Sequence, residues 1–168
     1  MKNKVEEFVD LVDSAGDIKI KKILRSEINN YPGLYMQIII GVVFNEKGEI
    51  LVHKRALNKK VNPGDIDHVC GGMVSGESLE EAFVRESVEE TGVKPVDIKI
   101  IDKGVNKYNR FRYLLAGRSN EKPKTTKDAE WSAYIGFDIL KVKRGLGEFN
   151  FVDEFFEETE KVIGKYKL

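Results

Sequence analysis

An α/β fold, with layers of helix around a mixed sheet, is the class this sequence predicts, and three observations predict it. Strand-like segments stand on both sides of one central helical stretch, the chain closes on an amphipathic stretch, and no linker, repeat or low-complexity tract divides it. A chain of 168 residues suits one domain with its own core. Residues 1–168 are therefore expected to form a single domain, with an N-terminal hairpin inside 1–30 as an integral part.

The elements follow in order. Glu6–Val12 and Ile18–Leu24 are expected to pair as a β-hairpin, because SAGD between them is a turn signal and IKIKKIL alternates with period two. Lys19 and Lys21 then share one face, read as solvated. RSEINN is a brief helical piece ended by YPG. YMQIIIGVVFN reads as a buried strand that EKG turns into EILVHKR, a second hairpin. ALNKKVNPGDID is a loop broken by Pro63 and Gly64, and HVCGGMVSGE is short, apolar and glycine-rich. In the helix that follows, Ser78 and Glu81 make a capping box and Gly92 is the C-terminal stop. VDIKIIDKGV, FRYLLAGRS and WSAYIGF read as strands, and NEKPKTTKDAE as a polar loop long enough to cover a site. VDEFFEETEKVIGKY is the closing amphipathic helix.

Bulk properties exclude several classes. Apolar content of 41% with 33% charged residues fits a soluble globular protein. The formal net charge is zero, so no global field draws a nucleic acid polymer or an anionic membrane. One cysteine rules out an internal disulfide and a four-cysteine zinc site. The N-terminal MKNKVEEFVDLVDSAG carries acids where a signal peptide needs an apolar run, and YMQIIIGVVF is about half a membrane span. A cytoplasmic enzyme or binding domain is the expectation.

The stretch VRESVEETG raises the chemical question. With Leu79 at zero and about 100° per residue, Phe83 falls near 40°, Glu86 near 340°, Glu90 near 20° and Glu89 near 280°. The acids thus lie on or beside the stripe that Leu79 and Phe83 begin. Three carboxylates within about a turn repel one another, and burying them unpaired is costly. Oxygen ligands without histidine or thiolate suit a hard ion, Mg²⁺ or Mn²⁺, whose shell substrate phosphates complete. The competing reading is a solvated helix face with Arg85 and Glu89 as an exposed pair.

The wider spacing decides between them. Gly71, Glu77, Arg85-Glu86, Glu89-Glu90 and Gly92-Val93 together resemble the signature box of the Nudix hydrolase family, with Ser87 the one departure, at a position where the family has an aliphatic packing residue. The resemblance implies an α/β/α sandwich with a mixed central sheet. It implies a loop–helix–loop that binds divalent metal through Glu86 and Glu90, with Glu89 assisting, and water attack on a phosphorus of a nucleoside diphosphate derivative. Glu86 is also the candidate that orients or deprotonates the water. Arg85 and Glu77 brace helix and loop, and Gly71 and Gly72 let the backbone approach the phosphates.

Upstream, HKRALNKKVNPGDIDHVCGG resembles the isopentenyl-diphosphate isomerase branch of that family. By position, Arg55 and Lys59 match residues that hold the diphosphate, Arg25 is a weaker third candidate, and Cys70 stands at the isomerase's catalytic cysteine. The isomerase's metal site needs histidines, whereas His53 and His68 are displaced from the matching places and Gly72 replaces one of them. Past the box, KDAEW and FDIL resemble the late segment of the family, making Asp128 and Glu130 candidates for a further acid. The expectation is a Mg²⁺- or Mn²⁺-dependent diphosphate hydrolase acting on a small molecule. The alternatives are a prenyl-diphosphate isomerase and a non-catalytic nucleotide-sensing module. A homodimer is left open.

Overall fold

The computed structural model describes residues 6–166; residues 1–5 of the 1–30 span, and residues 167–168, lie outside the described residues. In chain order the strands are β1 Phe8–Val12, β2 Ile18–Leu24, β3 Tyr35–Phe44, β4 Ile50–Arg55, β5 Ile66–Asp67, β6 Val69–Gly72, β7 Val96–Val105, β8 Phe111–Arg118 and β9 Ala129–Ile135. The helices are α1 Leu79–Thr91, α2 Phe137–Gly145 and α3 Phe155–Lys165, with a 3₁₀ turn at Arg25–Asn30. The expected first hairpin forms, with Phe8 opposite Leu24.

The second expected hairpin forms only at its turn. Asn45 closes the turn, its Oδ1 accepting the N–H groups of Lys47 and Glu49, but β3 and β4 then share a single pair, Phe44 with Ile50. Other strands take their edges. β3 pairs antiparallel with β1 and β6 and parallel with β8, while β4 pairs antiparallel with β5 and β9. Periodicity shows that a segment is a strand but not which partner it takes.

Alternation along β3 divides the core. Ile39 and Val43 pack with Phe83 of α1, whereas Val42 and Phe44 pack with Leu140 of α2 and with Phe155 and Val162 of α3. Gly41 lies on the α1 side because a Cβ there would fall 1.9 Å from the Phe83 ring. Helices thus cover both faces of a mixed sheet, the α/β/α sandwich.

Helix α2 was not expected at FDIL, and its packing explains why. Ile139, Val142 and Leu146 are exposed on its outer side, while Lys141 lies 4.2 Å over the Phe137 ring and Arg144 4.6 Å over that of Phe156. Leu140 is the one buried residue of the helix, and exposed aliphatics and cations share the rest of its surface, so the amphipathic signal is weak.

Asp10 of β1 ties the hairpin to the loop ahead of α1. Its carboxylate accepts the Ser75 hydroxyl at 2.6 Å, the Lys22 N–H at 2.8 Å and the Gly76 N–H at 3.2 Å, and the Ser75 N–H donates to the Phe8 carbonyl at 2.8 Å. Burial pushes the Asp10 carboxyl up, but the bonds from Ser75, Lys22 and Gly76 outweigh it and hold it below the ordinary value of 3.8. Asp10→Ala leaves these donors without their acceptor and is expected to cost about 3 kcal/mol in denaturant unfolding. A depressed native value means the unfolded chain binds more protons, so this contribution is present above pH 3.8 and is lost as pH falls through the native value. The gap between wild type and variant is expected to narrow in that window; a gap that widens on acidification contradicts the assignment.

Candidate functional site

Helix α1 begins and ends as its sequence dictates. The Ser78 hydroxyl accepts the Glu81 N–H, the Glu81 carboxylate accepts the Ser78 N–H, and Gly92 closes the helix at φ 70°. These two ends fix which residues face β6.

Glu77 and Arg85 form the brace. Arg85 Nε and Nη2 donate to the two Glu77 oxygens at 2.7 and 2.9 Å, and Nη2 also reaches the Gly72 carbonyl at 2.9 Å. Glu77 in turn accepts the Val74 N–H at 3.1 Å. Arg85 is thus bound to the loop and β6, and its contact with Glu89 is the longer one, 3.9 Å. This answers the solvated-face reading.

The box carboxylates differ in their surroundings. Glu86 presses on β6 at Gly71, where a Cβ would lie 1.9 Å from the Glu86 carboxyl carbon. Its Oε1 accepts Arg85 Nη1 at 2.6 Å. Burial pushes the Glu86 carboxyl up, and the adjacent Arg85 only partly offsets it. Glu90 is 6% exposed; its Oε2 accepts the Cys70 N–H at 3.0 Å and its Oε1 lies 4.0 Å from His53 Nε2. Burial first, and then the Asp67 charge, push the Glu90 carboxyl well above the usual range. His53 gives little relief, because burial holds its own value near 3 and the imidazole is neutral. Glu89 points outward with half its side chain exposed.

These residues suit a hard divalent cation. Glu86, half-buried, and Glu90, buried, are acceptors one turn apart, with Arg85 the cation on Glu86 and neutral His53 beside Glu90. Among the described residues no three His, Cys, Asp or Glu side chains converge as a ready-made cage. The expected convergence of Glu86, Glu89 and Glu90 is therefore not seen, since Glu89 points outward. An ion here would have only Glu86 and Glu90 as side-chain ligands, and Mg²⁺ is commonly held by one or two carboxylates with water and phosphate oxygens completing its shell.

The remaining candidates divide. Arg55 Nη1 donates to Asp67 at 2.8 Å and Nε to the Val61 carbonyl at 3.2 Å. Lys59 Nζ meets Asp128 at 2.6 Å, and Glu130 accepts the Leu57 N–H at 3.0 Å, so the two late acids fasten the 56–62 loop. Arg25 pairs with Glu7 at 2.5 Å, and its guanidinium lies 3.8 Å from where a Gly72 Cβ would stand. The Cys70 thiol is pushed well up by burial and then by the carboxylates of Asp67, Glu90 and Glu158, which keeps it protonated. Ser87, the departure from the box, is buried and donates its hydroxyl to the Val93 carbonyl at 2.7 Å.

Sequence reasoning missed Asp67. Its strand is two residues long, and its partner becomes visible only once β4 and β5 are paired. The available signal was a lone acid inside the apolar run IDHVC.

The model of the NUDIX domain matches residues 34–158, which include every box residue. The chain belongs to the Nudix family. It is 44% identical over 72 residues to an isopentenyl-diphosphate Delta-isomerase from Salmonella arizonae, a match that covers 42% of this chain and 36% of that protein. It therefore spans about a third of that relative's length. It is 28% identical over 138 residues to the 8-oxo-dGTP diphosphatase of Escherichia coli K12, covering 79% of this chain and 96% of that one. Among solved structures, DR0079 from Deinococcus radiodurans superposes with a TM-score of 0.69 at 23% identity, over 96% of this chain and all of that one. This last likeness shows that the two chains share a fold over nearly their whole length.

In a Nudix protein built this way, the approach of α1 to β6 depends on Gly71. Gly71→Ala is expected to destabilise by about 1–3 kcal/mol through overpacking on Glu86. The double variant Gly71→Ala/Glu86→Ala is expected to recover most of that loss, a coupling that a double-mutant unfolding cycle reads directly. Additive losses would mean that the two groups do not meet.

Proposed function

We propose that this protein hydrolyses a diphosphate linkage, in a nucleoside diphosphate derivative or similar small molecule, by attack of water at phosphorus. Glu86 and Glu90 hold Mg²⁺ or Mn²⁺, and Glu89 assists from the solvent side. The observation that carries the reading is the sealing of two helix carboxylates against the bare backbone of β6, with a bidentate Glu77–Arg85 brace behind them. When bound, the ion neutralises the diphosphate and lowers the pKa of water.

The chain's own groups supply the rest. Glu86 orients the water and takes its proton, a role for which a partly enclosed carboxylate beside the substrate is suited. Gly71 lets the Glu86 carboxylate, and Gly72 the Met36 methyl, close against the β6 backbone, so a phosphate would reach the site beside these side chains and not over the bare Cα atoms. Arg55 donates to the diphosphate, and Lys59 exchanges Asp128 for a phosphate oxygen. The N-terminal hairpin belongs to the same domain, since Asp10 ties it to the box loop. The reading calls for a soluble cytoplasmic protein, active as a monomer or homodimer, with no nucleic acid polymer or membrane as partner; no helix among the described residues is long and apolar enough to cross one.

A prenyl-diphosphate isomerase is disfavoured by the histidines, which its metal site would need. His53 is enclosed beneath Glu90, and His68 is buried against Phe155 and Thr159. A nucleotide-sensing module is the remaining rival and would bind without turnover.

A panel of nucleoside triphosphates, ADP-ribose, dinucleoside polyphosphates, nucleotide sugars and prenyl diphosphates, each with Mg²⁺ and Mn²⁺, tests the reading by following phosphate, pyrophosphate and nucleotide release. Glu86→Gln and Glu90→Gln are each expected to lower kcat at least about a hundredfold on the best substrate while the fold is retained. Wild-type rates in both variants would remove these residues from the site. Cys70→Ser is expected to stay within about tenfold of wild type, roughly 1.4 kcal/mol. Isopentenyl diphosphate is expected to pass through unisomerised with Mg²⁺, Mn²⁺ or Zn²⁺; isomerisation that vanishes in Cys70→Ser would promote the isomerase instead.

A further inference from the structure

We infer that Asp67 is a positioning residue for the diphosphate: it holds the Arg55 guanidinium so that its Nη2 edge faces the substrate. The inference rests on the reading of Arg55 as the diphosphate clamp. Asp67 belongs to no motif of the chain, and its side chain is only 9% exposed. Its one ionic partner among the described residues is Arg55, at 2.8 Å.

The geometry of Arg55 argues for positioning rather than for a closed structural pair. A guanidinium carries five N–H groups in a fixed plane. Here Nη1 is bound to Asp67 and Nε to the Val61 carbonyl, which fixes two points and therefore the plane. Both N–H groups of Nη2 make no bond among the described residues. The side chain is 17% exposed, buried enough to be held and open enough to meet a ligand. Lys59 contrasts with it, its ammonium already closed on Asp128.

Placement in the sheet explains why an acid serves here. Asp67 pairs with His53 on β4, two residues before Arg55, and the Arg55 N–H donates to the Asp65 carbonyl at 2.9 Å. Backbone and side chain therefore hold Arg55 to the same short segment. Three residues past Asp67, the Cys70 N–H fixes Glu90. One stretch of chain thus sets both the clamp and a proposed metal ligand. An uncharged residue at Asp67 would leave a partly buried guanidinium without its counter-charge, free to turn toward Glu90 or solvent.

The test measures binding and turnover separately. Methylenediphosphonate with Mg²⁺, titrated calorimetrically, reports the clamp without hydrolysis. Asp67→Asn is expected to weaken its binding about tenfold, and to raise KM for the best panel substrate by a similar factor with kcat within about threefold. Arg55→Ala is expected to weaken binding at least as much, and adding Asp67→Asn to Arg55→Ala to cost nothing further. That missing increment separates positioning through Arg55 from a general packing role. If Asp67→Asn does not fold, Asp67→Ser gives the same comparison. In the wild type, the Arg55 Nη resonances are expected to shift on adding the bisphosphonate while Nε does not. Unchanged affinity in the Asp67 variants, or an equal loss with and without Arg55, overturns the inference. Because the bisphosphonate is not hydrolysed, a wild type that binds it but turns over no substrate refutes the proposed hydrolysis and leaves Asp67 to be judged on binding alone.

Discussion

Burial of the Glu90 carboxylate is the constraint around which this structure is organised. A carboxylate out of water needs donors or a cation, and α1 brings this one against β6, where it receives the Cys70 N–H. The neighbouring imidazole of His53 is itself desolvated and neutral, so it lends no charge. Glu86, one turn earlier, is driven the same way by burial and shares Arg85 with Glu77. Such a helix face is poorly satisfied by protein alone. The polypeptide therefore holds it by other means: capping at both ends, a bidentate brace, and the bare Cα of Gly71 where a side chain would collide.

The brace extends beyond the box. Arg85 reaches the Gly72 carbonyl, Glu77 receives the Val74 N–H, and Asp10 takes the next two residues, Ser75 and Gly76. Gly72, Ser75, Gly76, Glu77 and Ser78 are thus tied to β1 or α1, the Met73 N–H donates to Gln37 of β3, and the Val74 N–H donates to Glu77 within the loop. Loops carrying function are often mobile because few of their polar groups are satisfied internally. This one is held by side-chain and backbone bonds at most of its positions.

How much of this was legible follows from which interactions are local. The capping box, the Gly92 stop and the clustering of Glu86 and Glu90 lie within one helix, where 3.6-residue geometry fixes neighbours. The Glu77–Arg85 brace came from the family resemblance and spans only eight residues. The pairings of β3 and β4 with distant strands were not legible, because alternation fixes faces and leaves partners open. Helix α2 was hidden by its outward aliphatics and ring-covering cations. Asp128 and Glu130 were read as acids near a site, but their contacts are to the 56–62 loop. Asp67 escaped for the same reason, since its meaning depends on Arg55, twelve residues away across a strand pair.

The parting of β3 from β4 gives the site its location. One half of the sheet carries β4, β5 and β9, the other β1, β3, β6 and β8, and between β3 and β4 there is one residue pair. The chain crosses from one half to the other at His68, between Asp67 and Val69. His68 is held there by α3: its ring stacks on Phe155 at 4.0 Å and its Nε2 meets Thr159 Oγ1 at 2.9 Å. Thr159 spends its own proton on the Phe155 carbonyl, so Nε2 is the donor and the neutral tautomer is fixed by the network. On one side of this crossing stand His53, Arg55 and Asp67; on the other, Cys70, Gly71 and Gly72. Glu90 spans the two, one oxygen on the Cys70 N–H and the other facing His53. A continuous sheet would saturate these backbone groups with ladder bonds and leave no edge for a carboxylate to enter. The failed hairpin and the candidate site are therefore one feature: the strands separate, the Glu90 carboxylate occupies the opening, and Glu86 lies beside it on the face of β6.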